Sequence, residues 1–126
     1  MLPRVLIVED DPIIRELYAL KFELEGFPVA AAENGALALE VLEGFTPDYI
    51  LLDMMMPVMD GITFMNHYRK AGYEADVIVF SNVSTPHQRQ AVLDLGASDY
   101  WVKSDYTPEQ VVTALARRWQ ERSESS

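Results

Sequence analysis

Three short apolar runs along the chain are typical of buried strands, and each ends at a polar residue. The runs cover residues 5–8, 49–52 and 77–80, and the residues that follow them are Glu9, Asp53 and Ser81. Because apolar and polar side chains do not alternate within the runs, both faces of each strand are expected to be covered. Weaker strand signals at 28–32 and 99–102 bring the predicted number of strands to five.

Helical patterns occupy the intervals between the strands. Each of five predicted helices begins with residues that favour a helix start, namely Asp11-Pro12, Asn34-Gly35, Asp60-Gly61, Thr85-Pro86 and Thr107-Pro108. Apolar residues at three- and four-residue spacing predict the buried face of each helix. In the first helix these are Ile13, Leu17, Leu20 and Leu24, in the second Leu37, Val41 and Leu42, and in the last Val111, Val112, Leu115 and Trp119.

The strict alternation of strands and helices predicts an α/β fold with helices on both faces of a parallel sheet. Five strands are too few for a βα barrel, so we expect a flavodoxin-like, doubly wound sheet of order 2-1-3-4-5 with five helices. Ligands are then expected at the carboxyl edge, where strands 1 and 3 meet. Residues 1–122 form the predicted domain, and residues 123–126 are expected to be a disordered tail or the start of a linker.

Composition narrows the range of functions. The chain has 126 residues, no cysteine and a net charge of −10. This charge argues against direct binding of nucleic acid, and the missing cysteines exclude disulfides and thiolate metal sites. No apolar run approaches the 18 or so residues of a membrane span, and residues 1–4 lead straight into a strand-like segment, so a signal sequence is not expected. The sequence therefore predicts a cytoplasmic protein without membrane contact.

Polar residues at the ends of the predicted strands carry the candidate chemistry. Because parallel strands end at one edge, Glu9, Asp10, Asp53, Ser81 and Lys103 are expected to converge there. Three carboxylates without histidine or cysteine favour Mg²⁺ over zinc or copper. Singly, each residue also has a structural interpretation, as a helix cap, a balancing charge or a partner for a neighbouring backbone group.

With these residues in these positions, the sequence resembles the receiver domain of two-component response regulators, the family of the bacterial chemotaxis regulator. The resemblance runs from Arg4 to about Arg118 and rests on residues 5–12, 53–61, 80–81 and 96–103. As a set these segments are highly specific. The family also has the strand order given above.

The resemblance implies that Asp53 accepts a phosphoryl group from a histidine kinase or a histidine phosphotransfer protein. It implies further that Asp10 and Asp53 bind Mg²⁺ directly, together with the backbone carbonyl of Met55, while Glu9 acts largely through a water. The expected role is that of a signalling phosphoacceptor with Mg²⁺-dependent self-phosphorylation and self-dephosphorylation, and not that of an enzyme.

The same resemblance implies which residues respond when Asp53 is phosphorylated. Lys103 is expected to pair with the phosphoryl oxygens, Ser81 to donate its hydroxyl to one of them, and Tyr100 to turn inward when that hydroxyl moves. The surface of helix 4, strand 5 and helix 5 would then be read by an unknown partner or by an output domain outside this chain. The expected oligomeric state is a monomer or a phosphorylation-dependent dimer.

Several residues depart from the family's usual pattern. Glu9 stands where Asp is more common, Ser81 replaces Thr, and Asn82 replaces a small residue, so that its amide is expected to crowd or hydrogen-bond the phosphate. Ser104 replaces a proline that usually follows the lysine. Because a cis bond before a residue other than proline costs about 2.5–4 kcal/mol, the Lys103–Ser104 bond is predicted to be trans.

Other functions fit the residues less well. A phosphatase of the haloacid dehalogenase type needs a second Asp two residues after the nucleophile, where this chain has Met55. A flavodoxin-like electron carrier needs a hydroxyl- and glycine-rich loop after the first strand, where this chain is acidic. A receiver-like interaction module that is never phosphorylated is the remaining alternative. If phosphorylation does occur, Met55 and Val83 are expected to position the attacking water poorly and so to slow hydrolysis.

Overall fold

The computed structural model describes residues 1–82 and 85–125. The elements in chain order are β1 (Val5–Val8), α1 (Pro12–Leu24), β2 (Val29–Ala32), α2 (Gly35–Val41), β3 (Tyr49–Leu52), α3 (Gly61–Lys70), β4 (Asp76–Ser81), α4 (Pro86–Asp94), β5 (Asp99–Val102), the short 3₁₀ helix η1 (Lys103–Asp105) and α5 (Pro108–Ser125). The helix α5 includes residues 123–125, which were expected to belong to a disordered tail or the start of a linker.

The strands form one parallel sheet with the order β2-β1-β3-β4-β5, which confirms the predicted topology. Val8 of β1 lies beside Leu52 of β3, and Leu52 lies beside Val79 of β4. At the far side of the sheet, Ser81 of β4 pairs with Val102 of β5. Since these strands end nearly level with one another, the residues that follow them share one edge of the sheet. Among the residues described, no helix is both long and apolar enough to cross a membrane.

Alternate residues of the central strands point into two separate apolar layers. Leu6 and Val8 of β1 pack in the layer beneath α2, α3 and α4, whereas Val5 and Ile7 pack in the layer that contains residues of α1 and α5. All four side chains of β1 and of β3 are buried. The uninterrupted apolar runs are therefore explained by helices on both faces of the sheet.

The stripe predicted for α1 is wrong. Its four members are exposed, at 78% for Ile13, 48% for Leu17, 54% for Leu20 and 74% for Leu24. The buried side chains of this helix are Tyr18 and Phe22, which lie on a neighbouring stripe with the partly buried Ile14. Periodicity shows which residues share a helix face but not which of two apolar faces meets the sheet. Two large rings remove more apolar area from water than the leucines they displace.

The other helices follow the predictions more closely. Asp11, Asn34, Asp60 and Thr85 all cap their helices, and each side chain accepts from a backbone N–H of the first turn. In α5, Val111, Val112 and Leu115 are buried as expected, and Trp119 packs at the edge of the same layer. Leu42, the residue that caps the C-terminus of α2, is buried, whereas Leu37 within the helix is exposed, contrary to expectation.

Candidate functional site

The register of β1 and β3 brings two carboxylates side by side. Glu9 and Asp53 directly follow the paired residues Val8 and Leu52, and the Asp53 backbone N–H donates to the Val8 carbonyl over 3.0 Å. Asp10 joins them, so that one carboxylate oxygen from each of the three residues lies within 4.8 Å of the other two. The predicted convergence of the three acids is thus present at the carboxyl edge of the sheet.

Lys103 enters this acidic cluster from the far side of the sheet. Its Nζ atom contacts a carboxylate oxygen of Glu9 and lies 3.3 Å from Oδ2 of Asp53. The side chains of all three residues are largely buried, with 14% of the lysine side chain exposed. Water screens buried charges weakly, so the Lys103 ammonium attracts the carboxylates of Glu9 and Asp53 strongly. This ammonium is the main positive charge that balances the cluster in the part of the chain that the structure describes.

Burial and mutual charge shift the protonation of this pair. Burial raises the pKa of Glu9 to about 7, and neighbouring Asp53 adds to the rise, while Lys103 opposes it. Burial by itself lowers the pKa of Lys103, but the two carboxylates overcome this effect and leave the lysine pKa raised. Lys103 therefore carries a full positive charge at neutral pH, whereas Glu9 titrates near neutrality.

The backbone around Asp53 is held by the loop that follows it. The N–H of Met55 donates to Oδ1 of Asp53 over 3.3 Å, and the Met55 side chain points to solvent with 62% of its area exposed. Farther along, Gly61 begins α3 directly against the strand end. A Cβ at Gly61 would lie only 3.0 Å from the Asp53 carbonyl oxygen, so this packing needs glycine.

Ser81 and Tyr100, the expected switch pair, both lie inside the protein. Ser81 ends β4 and is 1% exposed, and Tyr100 in β5 is 8% exposed. The Arg89 guanidinium carbon lies 5.0 Å from the centroid of the Tyr100 ring. Burial raises the pKa of the Tyr100 hydroxyl, while Arg89 and nearby Ser81 oppose this rise. The side chain expected to turn inward thus already occupies a buried position.

Sequence reasoning missed Arg15, which supports the acidic loop from α1. Its Nη1 atom donates to the backbone carbonyl of Glu9 over 2.8 Å and to that of Asp10 over 3.3 Å. The guanidinium therefore holds the main chain on which two of the three carboxylates stand. The only signal in the sequence was a cation one turn into the helix that follows three consecutive acidic residues.

Sequence reasoning also missed a contact between Asn82 and Ser104, two of the residues that depart from the family's usual pattern. The Lys103–Ser104 bond is trans, as predicted. The Ser104 N–H donates to Oδ1 of Asn82 over 3.0 Å. Val83, which was expected to flank the attacking water, lies outside the residues that the structure describes.

The donor set of the acidic cluster suits a hard divalent cation. All three side chains supply carboxylate oxygens, and no sulfur or imidazole ligand belongs to the cluster. Mg²⁺ prefers such ligands and keeps part of its water shell, which an open edge of a sheet allows. Glu9, Asp10 and Asp53 therefore could hold Mg²⁺.

Comparison with known proteins agrees with this geometry. The family profile described as response regulator receiver domain matches residues 5–116. The chain is 41% identical over 118 residues to the transcriptional regulatory protein PrrA of Mycobacterium tuberculosis, an alignment that covers 92% of this chain and 51% of PrrA. The chain thus belongs to the response regulator receiver domain family, and it spans about half the length of the curated relatives it matches.

Two solved structures are similar over most of the chain. The receiver domain of the Francisella response regulator 1452 has a TM-score of 0.79 and 30% identity, and the alignment covers 92% of this chain and 98% of that one. The BeF3-activated N-terminal receiver domain of RstA from Klebsiella pneumoniae has a TM-score of 0.79 and 28% identity, with 89% and 94% covered.

Proposed function

We propose that this chain is the phosphoacceptor of a two-component system and that Asp53 is its phosphorylation site. The observation that carries the proposal is the position of Asp53 between two further carboxylates and the Lys103 ammonium, at the end of a central strand. Its carboxylate is nearly buried, so its orientation is set by the protein and not by solvent. Membership of the receiver family supports the same assignment.

The proposed reaction is a single phosphoryl transfer. A carboxylate oxygen of Asp53 forms a bond to phosphorus, and the P–N bond of a phosphohistidine breaks with its electron pair left on the imidazole nitrogen. Lys103 lies within reach of that carboxylate and is placed to pair with the incoming phosphoryl oxygens. No proton has to be taken from the nucleophile, since Asp53 reacts as a carboxylate.

Glu9, Asp10 and Asp53, with the backbone carbonyl of Met55, would hold Mg²⁺ in this site. When bound, the cation offsets the repulsion between the acidic cluster and an anionic phosphoryl donor. In this cluster the Lys103 ammonium faces three carboxylates, so a divalent cation would offset the remaining negative charge.

The proposed output is a change in the surface formed by α4, β5 and α5. Ser81 would donate its hydroxyl to the phosphoryl group, and the resulting movement would shift the population of positions open to Tyr100. The similarity to a receiver domain solved in a BeF3-activated form supports a phosphoryl-dependent switch of this kind.

The partners follow from the same proposal. A histidine kinase or a histidine phosphotransfer protein supplies the phosphoryl group, and an output partner or an output domain reads the switched surface. PrrA is named as a transcriptional regulatory protein and is about twice as long as its alignment with this chain. For a longer protein that contains this chain, we propose an attached DNA-binding module and a dimer that forms on phosphorylation.

Labelling with acetyl phosphate tests the proposed function. In the presence of Mg²⁺, intact-mass measurement is expected to show one added phosphoryl group that hydroxylamine removes. Asp53→Asn and an excess of EDTA should each abolish it. Asp60→Asn is the matched control, because this exposed carboxylate caps α3 and asparagine can replace it there. Equal labelling of wild type and Asp53→Asn would overturn the proposal, and an unlabelled wild type would favour the interaction module.

A further inference from the structure

Two residues that depart from the family's pattern contact each other. Oδ1 of Asn82 accepts a hydrogen bond from the backbone N–H of Ser104 over 3.0 Å, although 22 positions separate them. Asn82 directly follows Ser81 at the end of β4, and Ser104 directly follows Lys103, the first residue of η1. Proline has no N–H to donate, so this bond exists only because position 104 is not proline.

The bond supplies a cap that the local sequence lacks. The Ser104 N–H belongs to the first turn of η1, and the first N–H groups of a helix have no acceptor within that helix. Val102 stands at the N-cap position of η1 and makes no side-chain capping bond. Asn82 provides the missing acceptor from a different loop, and so holds the start of η1 against the end of β4.

The backbone of Lys103 is held on both sides, by the sheet at the preceding residue and by this cap at the following peptide unit. Val102, the residue before the lysine, pairs with Ser81 in the sheet, and the peptide unit after the lysine carries the N–H that Asn82 holds. Lysine has a long and flexible stem, so the place of its Cα decides how well Nζ reaches Glu9 and Asp53. With both neighbouring peptide units anchored, the ammonium lies 3.3 Å from Oδ2 of Asp53.

We infer that Asn82 is a positioning residue for Lys103 and acts through the Ser104 N–H. The inference rests on the proposed phosphoacceptor function, since it assigns Asn82 an effect on phosphoryl transfer to Asp53. Asn82 and Ser104 are both exposed. The net free energy that one neutral hydrogen bond contributes corresponds to roughly a two- to tenfold change in the rate of phosphoryl transfer.

The test removes each half of the contact separately. Asn82→Leu keeps the size of the side chain but not the acceptor, and it should slow labelling by acetyl phosphate about two- to tenfold at saturating Mg²⁺. The same substitution should have no further effect when combined with Ser104→Pro, which removes the donor. It should also have no further effect in Lys103→Ala, which removes the side chain that is positioned. An undiminished effect in both backgrounds would overturn the inference, because Asn82 would then act on the site directly.

Amide hydrogen exchange provides a readout that does not depend on phosphorylation. The Ser104 N–H should be protected in the wild-type chain and should lose that protection in Asn82→Leu, with the exchange of the β5 amides unchanged. Equal exchange of Ser104 in the two proteins would overturn the contact. An unlabelled wild type would overturn the phosphoacceptor function and any effect of Asn82 on it, whereas labelled wild type with full activity in Asn82→Leu would overturn only the role of Asn82.

Discussion

The Nζ atom of Lys103 lies 3.3 Å from Oδ2 of Asp53, across 50 residues of sequence. The same ammonium contacts Glu9, so one cation holds two largely buried carboxylates together. A contact of this kind contributes to stability in the resting protein and to charge balance when an anionic group arrives.

Removing this cation should make the fold depend on Mg²⁺. Lys103→Met leaves Glu9 and Asp53 without their ammonium, which we expect to lower the free energy of unfolding by about 1–3 kcal/mol in EDTA. Added Mg²⁺ should recover most of the loss, measured by urea unfolding. Lys21→Met is the control, since the Lys21–Glu25 pair on α1 is more exposed and should contribute less than about 1 kcal/mol. An equal Mg²⁺ response in wild type and Lys103→Met would contradict this prediction.

The raised pKa of Glu9 predicts a particular pH dependence. Between its ordinary value of 4.5 and about 7, the folded protein keeps a proton on Glu9 that the unfolded chain has released. In EDTA, the wild-type protein should therefore lose stability relative to Glu9→Gln as the pH rises through this range. Saturating Mg²⁺ should flatten the trend, because the cation competes with the proton. Urea unfolding of both proteins at several pH values measures it, and a constant difference would refute the assignment to Glu9.

Val58 occupies a strained backbone position in the loop after β3. Its φ is 69°, in the left-handed region, and 84% of the residue is exposed. A β-branched residue gains little packing there and costs about 1–2 kcal/mol in strain. Val58→Asn should therefore stabilise the protein by about 1 kcal/mol in thermal or urea unfolding, and Val58→Ala should stabilise it less. A loss of stability in Val58→Asn would show that the valine contributes packing that outweighs the strain.

Gly96 should be intolerant of a side chain for two separable reasons. Its φ is 104°, and a Cβ there would lie 2.2 Å from Nη1 of Arg69, which donates to the Leu95 carbonyl at the end of α4. Gly96→Ala should cost about 1–3 kcal/mol of unfolding free energy. Gly72→Ala is the matched control, since its φ is 82° but its Cβ meets open space. If the two variants lose the same stability, the displacement of Arg69 contributes nothing.

Because the leucine stripe of α1 is exposed, a leucine-to-alanine substitution there should cost less unfolding free energy than the same substitution in the buried face of α5. Leu20 in α1 is 54% exposed, whereas Leu115 in α5 is 0% exposed. Leu20→Ala should change the free energy of unfolding by less than about 0.5 kcal/mol, because alanine also favours a helix. Leu115→Ala should cost about 2–5 kcal/mol. A cost above 2 kcal/mol for Leu20→Ala would mean that this stripe is covered in solution.

Much of the fold and of the site could be predicted because the signals are local. The apolar runs, the residues at the helix starts and the acids after β1 and β3 depend on neighbours in sequence. The convergence of Glu9, Asp10 and Asp53 follows once the strands are parallel, since topology alone brings their carboxyl ends together. The buried face of α1 could not be predicted, because two apolar stripes compete and only packing against the sheet selects Tyr18 and Phe22.

The sequence by itself determined the order of strands and helices, their caps and the acidic edge, because backbone preferences and hydrophobic period act over a few residues. Only the tertiary structure decided how the edge is supported: Arg15 on the Glu9 carbonyl, Lys103 between two carboxylates, and Asn82 on the Ser104 N–H. Each of these contacts depends on the position of a flexible polar side chain. Distances of a few ångströms between groups from different elements are set by how the helices and loops pack, and no local pattern encodes them.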